Sequence, residues 1–308
     1  MTSDYMVFGL LFLFQTGFGV LGNTFLLGLH TITFFTGTRL RPIDLLLSHL
    51  AFANDLVLLS KGVPQTMTAL GLNNFLDDVG CKLVFYFHRV ARGLSLNTTC
   101  LLSGFQAITL CSGSFRWEGI KGKIPKYIVP FCFLCWTFRL LTYCVILLKV
   151  KGSIGMKNIT EMNDLIYCSA PTGISSNVAE YVFLFSLPDV LYVGIMMGSS
   201  GYMVFFLYQH NQRVQHIHCN SLRPCSFPEI RATRTILLLV SMFVSFYSLN
   251  SILTLYMLLG KLTSWLVHIS VLLAACFPAC SPFVLIVSDS QVSRYSLALW
   301  DRIKLPVQ

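Results

Sequence analysis

Long apolar runs broken by short polar stretches set the pattern of this chain. No charged residue occurs from Tyr5 to Leu29, and comparable runs recur as far as residue 287. Crossing about 30 Å of hydrocarbon takes ~20 helical residues. Seven segments reach that length: 6–30, 43–68, 80–111, 127–148, 180–208, 235–259 and 264–287. The first and the last two are nearly free of charge; the others carry charges and rest on length and flanks. The runs are continuous, unlike the short alternating strands of a membrane barrel, and show no internal repeat of the kind that marks duplicated transporters. The pattern predicts an all-α membrane protein: a seven-transmembrane helix bundle forming one domain over 1–308, with 288–308 as a short tail. The first run is preceded by Asp4 and exceeds the ~7–15-residue core of a signal peptide, so it reads as a retained helix.

Composition agrees. Hydrophobic residues make up 55% of the chain and charged residues 11%, against about 25% charged in ordinary soluble domains. The formal charge of +9 would serve nucleic acid only if clustered on one face. Here the basic residues are scattered between apolar runs, which excludes that partner and turns them into topology signals. The connections 31–42, 112–126 and 209–234 with the tail 288–308 hold thirteen Lys and Arg; the alternate connections hold four. By the positive-inside bias the first set is cytoplasmic. The N-terminus is then expected outside and the C-terminus inside, in a multi-pass protein of the plasma membrane.

Two further signals fit that orientation. Asn158-Ile159-Thr160 is a glycosylation acceptor in a segment expected outside, whereas the matching Asn97-Thr98-Thr99 lies mid-helix. Of eleven cysteines most fall within helices, as packing. Cys81, at the outer end of the third helix, and Cys168, in the second outer loop, sit in oxidising space. A bridge between them would contribute about 4–5 kcal/mol on the loop-entropy model.

Several residues carry a resemblance to the rhodopsin-type receptors: Gly22-Asn23 in the first helix, Leu50-Ala51 with Asn54 in the second, Trp136 in the fourth, Pro188 in the fifth and Ser281-Pro282 in the seventh. Asn54 stands where that superfamily usually has an aspartate. Other landmarks depart: Phe105-Gln106-Ala107-Ile108 replaces an Asp-Arg-Tyr triplet, the sixth helix has no proline, and no tyrosine follows Pro282. A narrower set of segments resembles the vomeronasal type-1 receptor family. It includes Ser60-Lys61-Gly62-Val63-Pro64-Gln65, Gly80-Cys81-Lys82-Leu83, His88-Arg89-Val90, Phe105-Gln106-Ala107-Ile108-Thr109, Arg116-Trp117, Tyr167-Cys168-Ser169 and Ala274-Ala275-Cys276-Phe277-Pro278. The resemblance implies a G-protein-coupled receptor for pheromone-like small molecules, signalling through an inhibitory-type heterotrimeric G protein. The rival class is a multi-pass transporter of small organic solutes.

His88, Arg89 and Arg92 fall in the outer half of the third helix, roughly 10–17 Å below Cys81. They share an arc of about 100°, and ionisable residues at membrane depth usually face the bundle interior. They are read as the polar wall of a ligand pocket, as an internal ion pair with Asp55 or Asp189, or as both. Lys61 adds a cation in the second helix, and Asp189 an acid in the fifth. The cation surplus near the outer mouth suits an anionic ligand. No acid occupies the third helix where an amine would need one.

Gln106, Arg116, Arg213 and Arg231 are candidates for the face toward the G protein. His216-Ile217-His218-Cys219 with Cys225 lacks regular metal spacing and is read as solvated loop, so no metal is expected. Gly198-Ser199-Ser200-Gly201 is read as helix packing rather than a nucleophile site. Without a phosphate loop, zinc-protease motif or paired carboxylates, neither an enzyme nor a cofactor is expected. The expected partners are a ligand, a G protein and membrane lipid.

Overall fold

A computed structural model of the chain describes residues 3–36, 41–72, 75–110, 124–149, 162–165, 168–171, 178–217, 227–259 and 264–288. Seven helices account for nearly all of it. They are α1 (Ser3–Phe35), α2 (Pro42–Ala69), α3 (Asp78–Leu110), α4 (Ile124–Lys149), α5 (Val178–Ile217), α6 (Phe227–Leu259) and α7 (Ser264–Ser288). Between α4 and α5 the strands β1 (Met162–Leu165) and β2 (Cys168–Pro171) pair antiparallel, with Leu165 opposite Cys168. The apolar pattern carried no sign of that hairpin, because four-residue strands are too short to show a period.

Six of the helices, all but α3, are long and apolar enough to cross a membrane. The exception has 33 residues, long enough to span, but it carries Lys82, Arg89 and Arg92. Its position explains the composition. It packs against α2, α4, α5 and α6, so its polar positions meet other helices where an outer helix would meet lipid. Large apolar side chains instead point outward on the rest: Phe18 and Leu21 of α1, Phe133 and Leu141 of α4, Val190 and Leu191 of α5. An apolar exterior around a partly polar core is the inverse of a water-soluble protein and fits a membrane helix bundle. In α5 and α6 the helix continues past the apolar run into 209–217 and 227–234, extending beyond the hydrocarbon-length segment.

Prolines shape the rods. Pro64 has no N–H for the carbonyl one turn earlier, and α2 there contains a π-helical turn, Leu58–Gly62, that carries Lys61. Such bulges locally rotate the side chains beyond them. Pro278 and Pro282 lie inside α7. Pro282 strips the Pro278 carbonyl of its intrahelical donor, and Asn23 of α1 supplies a replacement from Nδ2 at 3.0 Å. Gly22 lets α1 come close enough, since a Cβ there would lie 2.9 Å from Pro282 Cγ. The Gly22-Asn23 and Ser281-Pro282 landmarks thus form one joint between α1 and α7.

Asn54 makes a second joint. Its Nδ2 donates to Ser281 Oγ at 2.9 Å, and its Oδ1 accepts from Ser95 Oγ at 2.8 Å. An amide can do both at once; an ionised carboxylate can only accept. That accounts for asparagine at this position and ties α2, α3 and α7. Trp136 packs half-buried on α4 against Phe52, ring centroids 5.7 Å apart.

Candidate functional site

At mid-depth the bundle holds a buried polar network built from four helices. Its centre is Arg139 of α4, 1% exposed. The guanidinium meets Asp189 Oδ1 of α5 at 3.1 Å and donates to Asn97 Oδ1 of α3 at 2.8 Å and to Tyr143 Oη at 3.2 Å. It also lies over the Tyr192 ring, 5.4 Å from the centroid. Gly93 of α3 makes room, because a Cβ there would approach Arg139 Cδ and Nε to 2.9 Å. The second oxygen of Asp189 faces Tyr247 Oη of α6 at 3.5 Å, the limit of a hydrogen bond. Tyr247 is stacked with Phe243 on one side and lies under the Arg92 guanidinium, 5.0 Å from the ring centroid. The chain Arg139–Asp189–Tyr247–Arg92 therefore runs from α4 through α5 and α6 back to α3.

This geometry answers the alternative left open for the cations of α3. Asp189 is paired with Arg139, and among the described residues neither Arg89 nor Arg92 forms an ion pair with it. Asp55 takes no cation either: its Oδ2 accepts from Thr24 Oγ1 at 3.2 Å, and its Oδ1 is buried without a hydrogen-bond partner among the described residues. Lys82 is matched by Asp78 at 2.8 Å. Lys61, Arg89 and Arg92 lie within electrostatic reach of one another and of His88. Their accessibilities differ. His88 is buried, Lys61 and Arg92 are partly buried, and Arg89 is exposed.

Beside Arg92 the bundle has a partly open cavity of about 40 Å3, lined also by Ser95, Phe243, Phe246, Tyr247 and Asn250, with Phe277 and Pro278 of α7. Drug-sized ligands fill about 300–1,000 Å3, so in this conformation the cavity is too small for one.

The opposite end of α3 carries a different contact. Gln106 is buried and donates from Nε2 to Thr233 Oγ1 of α6 at 2.9 Å. Its side chain is thus engaged within the bundle, not offered on the surface. Arg231 is exposed and donates to the Val287 carbonyl of α7 at 3.2 Å. Cys81 is fully buried and disulfide-bonded. Cys168 begins β2, but its side chain, like that of Arg213, lies outside the described residues, as do Asn158, Arg116, His218, Cys219, Cys225 and the tail 289–308. Asn97 is buried within the Arg139 network.

Sequence reasoning missed Arg139, Asn97, Tyr143 and Tyr247 as a unit. Arg139 was visible as a lone cation within a span; its partners sit 42 and 50 positions away, a pairing that no local pattern encodes.

The vomeronasal organ pheromone receptor family matches residues 6–298. The chain belongs to the vomeronasal type-1 receptor family. It is 48% identical over 291 residues to vomeronasal type-1 receptor 1 of Gorilla gorilla gorilla, covering 94% of this chain and 82% of that one. Vomeronasal type-1 receptor 4 of Homo sapiens is 47% identical over 306 residues, covering 98% and 100%. Olfactory receptor class A-like protein 1 of Danio rerio is 32% identical over 289 residues, covering 92% and 90%. A vomeronasal type-1 receptor is a multi-pass protein of the plasma membrane and not an enzyme, and the match does not favour the transporter reading.

Proposed function

We propose that this receptor binds a pheromone-like small molecule from outside the cell and passes the event to an inhibitory-type heterotrimeric G protein. The observation that carries the reading is the pairing of two features on α3. Toward the Cys81 end the Arg92 guanidinium lies over Tyr247 of α6; at the Leu110 end a buried hydrogen bond, Gln106 to Thr233, joins α3 to α6 again. A ligand that binds better when α6 has moved would shift the population toward that state. Separation of α6 from α3 would expose the inner face, with the basic stretches 112–126 and 209–234 (Arg116, Arg213, Arg231) offered to the G protein.

In this reading the N-terminus is outside and the tail inside, as the thirteen-to-four split of basic residues supports. The bridge from Cys81 is made to Cys168, which stands at the start of the second strand of the outer hairpin, and Asn158 in the same outer segment carries a glycan. The ligand lies among Lys61, His88, Arg89 and Arg92 and is anionic, since among the described residues none of these cations forms an ion pair and Asp189 is held by Arg139. Asp189 acts from behind by fixing Tyr247.

The test is a screen of anionic, neutral and cationic compound libraries in cells expressing the receptor, with an inhibitory G-protein readout. Hits concentrated among sulfates and carboxylates support the reading. Hits confined to amines would overturn its ligand class.

A further inference from the structure

The half of α3 toward Cys81, with Lys61 of α2, carries a local surplus of positive charge. Lys61, Arg89 and Arg92 lie within one another's electrostatic reach, and among the described residues none forms an ion pair with a carboxylate; the pairs present are Arg41–Asp44, Lys82–Asp78 and Arg139–Asp189. Asp189 is the acid within reach of Arg89, and it is held by Arg139. His88 sits amid the same cations with its Nδ1 buried and without a hydrogen-bond partner among the described residues. Arg89 is exposed, but Lys61 and Arg92 are partly buried beside the buried His88, and charge partly withdrawn from water is costly unless compensated.

The cavity beside Arg92 offers the place for compensation. It measures about 40 Å3, and one water needs about 10–15 Å3 of such space, so it holds a few small species. Its walls are mixed: Phe243 and Phe277 pack edge to face at 4.8 Å, while Arg92, Asn250 and Ser95 bring polar groups. Ser95 spends its hydroxyl proton on Asn54, which leaves Arg92 as the charged donor facing the space. No acid lines it.

We infer that the cavity beside Arg92 is a site for a small monovalent inorganic anion, a halide such as chloride, held as resident counter-ion when no agonist is bound. The site follows from charge balance and does not require the agonist to be anionic. If the agonist is anionic, the two compete for Arg92, and its half-effective concentration rises with chloride.

The test uses the purified full-length receptor in lipid nanodiscs without agonist. Unfolding temperature is followed as chloride replaces gluconate, an anion too bulky for the cavity, at constant ionic strength. The expected result is a saturable rise of roughly 2–4 °C, reproduced by bromide and lost in Arg92→Gln. A flat response, or an equal rise in Arg92→Gln, overturns the inference. Should Arg92→Gln fail to fold, bromide anomalous scattering from the wild-type receptor decides instead. A peak beside the Arg92 guanidinium supports the site, and its absence there overturns it. No agonist enters these measurements, so their failure leaves the receptor reading standing.

Discussion

Arg139 and Asp189 meet at 3.1 Å across the α4–α5 boundary, and the arginine is almost wholly withdrawn from solvent. Removing one partner of such a pair leaves an uncompensated charge, which costs about 3–5 kcal/mol. Arg139→Ala and Asp189→Asn are therefore expected to reduce surface expression and lower the unfolding temperature whatever ligand is present. Expression and thermal stability at wild-type levels in both variants would show that the pair does not hold the bundle.

Gly93 and Arg139 give a second expectation. A methyl group at position 93 would press on a guanidinium fixed by Asn97, Tyr143 and Asp189. Overpacking of this kind costs about 1–3 kcal/mol. Gly93→Ala should lower the unfolding temperature, while Gly104→Ala, where a Cβ meets nothing within 4 Å, should not.

Arg92 is expected to contribute directly to the ligand. Arg92→Ala should weaken an anionic agonist by about 2–5 kcal/mol, part of which reflects the ligand charge left unpaired. Arg92→Lys should recover only part, because the planar fork is lost. Concentration–response curves on matched surface expression decide it; unchanged potency for every anionic agonist would remove Arg92 from the site.

Gln106 and Thr233 hold α3 to α6 through one buried hydrogen bond. Such a bond is worth about 0.5–1.5 kcal/mol, with a further penalty for the amide left unsatisfied. Thr233→Val should therefore raise basal, ligand-free nucleotide exchange by roughly 2–10-fold. Unchanged basal exchange at equal expression would mean that the bond does not restrain α6.

Topology supplies a further test. Asn158→Gln should remove one glycan from the mature protein, and Asn97→Gln should remove none. Cys81→Ser and Cys168→Ser should each impair surface delivery, with the double variant no worse than either. Additive losses would separate the two thiols.

The helices were legible because each is long, and the need to cross hydrocarbon writes an apolar run directly into the sequence. Even α3, too polar to stand out by hydropathy, was legible from its length and its flanks. The landmark residues were legible as positions but not as contacts. Asn54 could be named as a departure; only the structure joins it to Ser95 and Ser281 and explains why an amide serves there. The cations of α3 were found and their surroundings were not, since helix packing hands Asp189 to Arg139 and not to Arg89 or Arg92. The hairpin 162–171 left no period to read.

The most direct test of the central claim is nucleotide exchange by purified inhibitory-type G protein, measured in proteoliposomes holding this receptor and an agonist from the screen, with agonist flux followed in parallel. The predicted result is exchange stimulated in proportion to agonist occupancy, shifted to higher agonist concentration in Arg92→Ala, and no transmembrane movement of the agonist. Agonist transport without stimulated exchange would contradict the account.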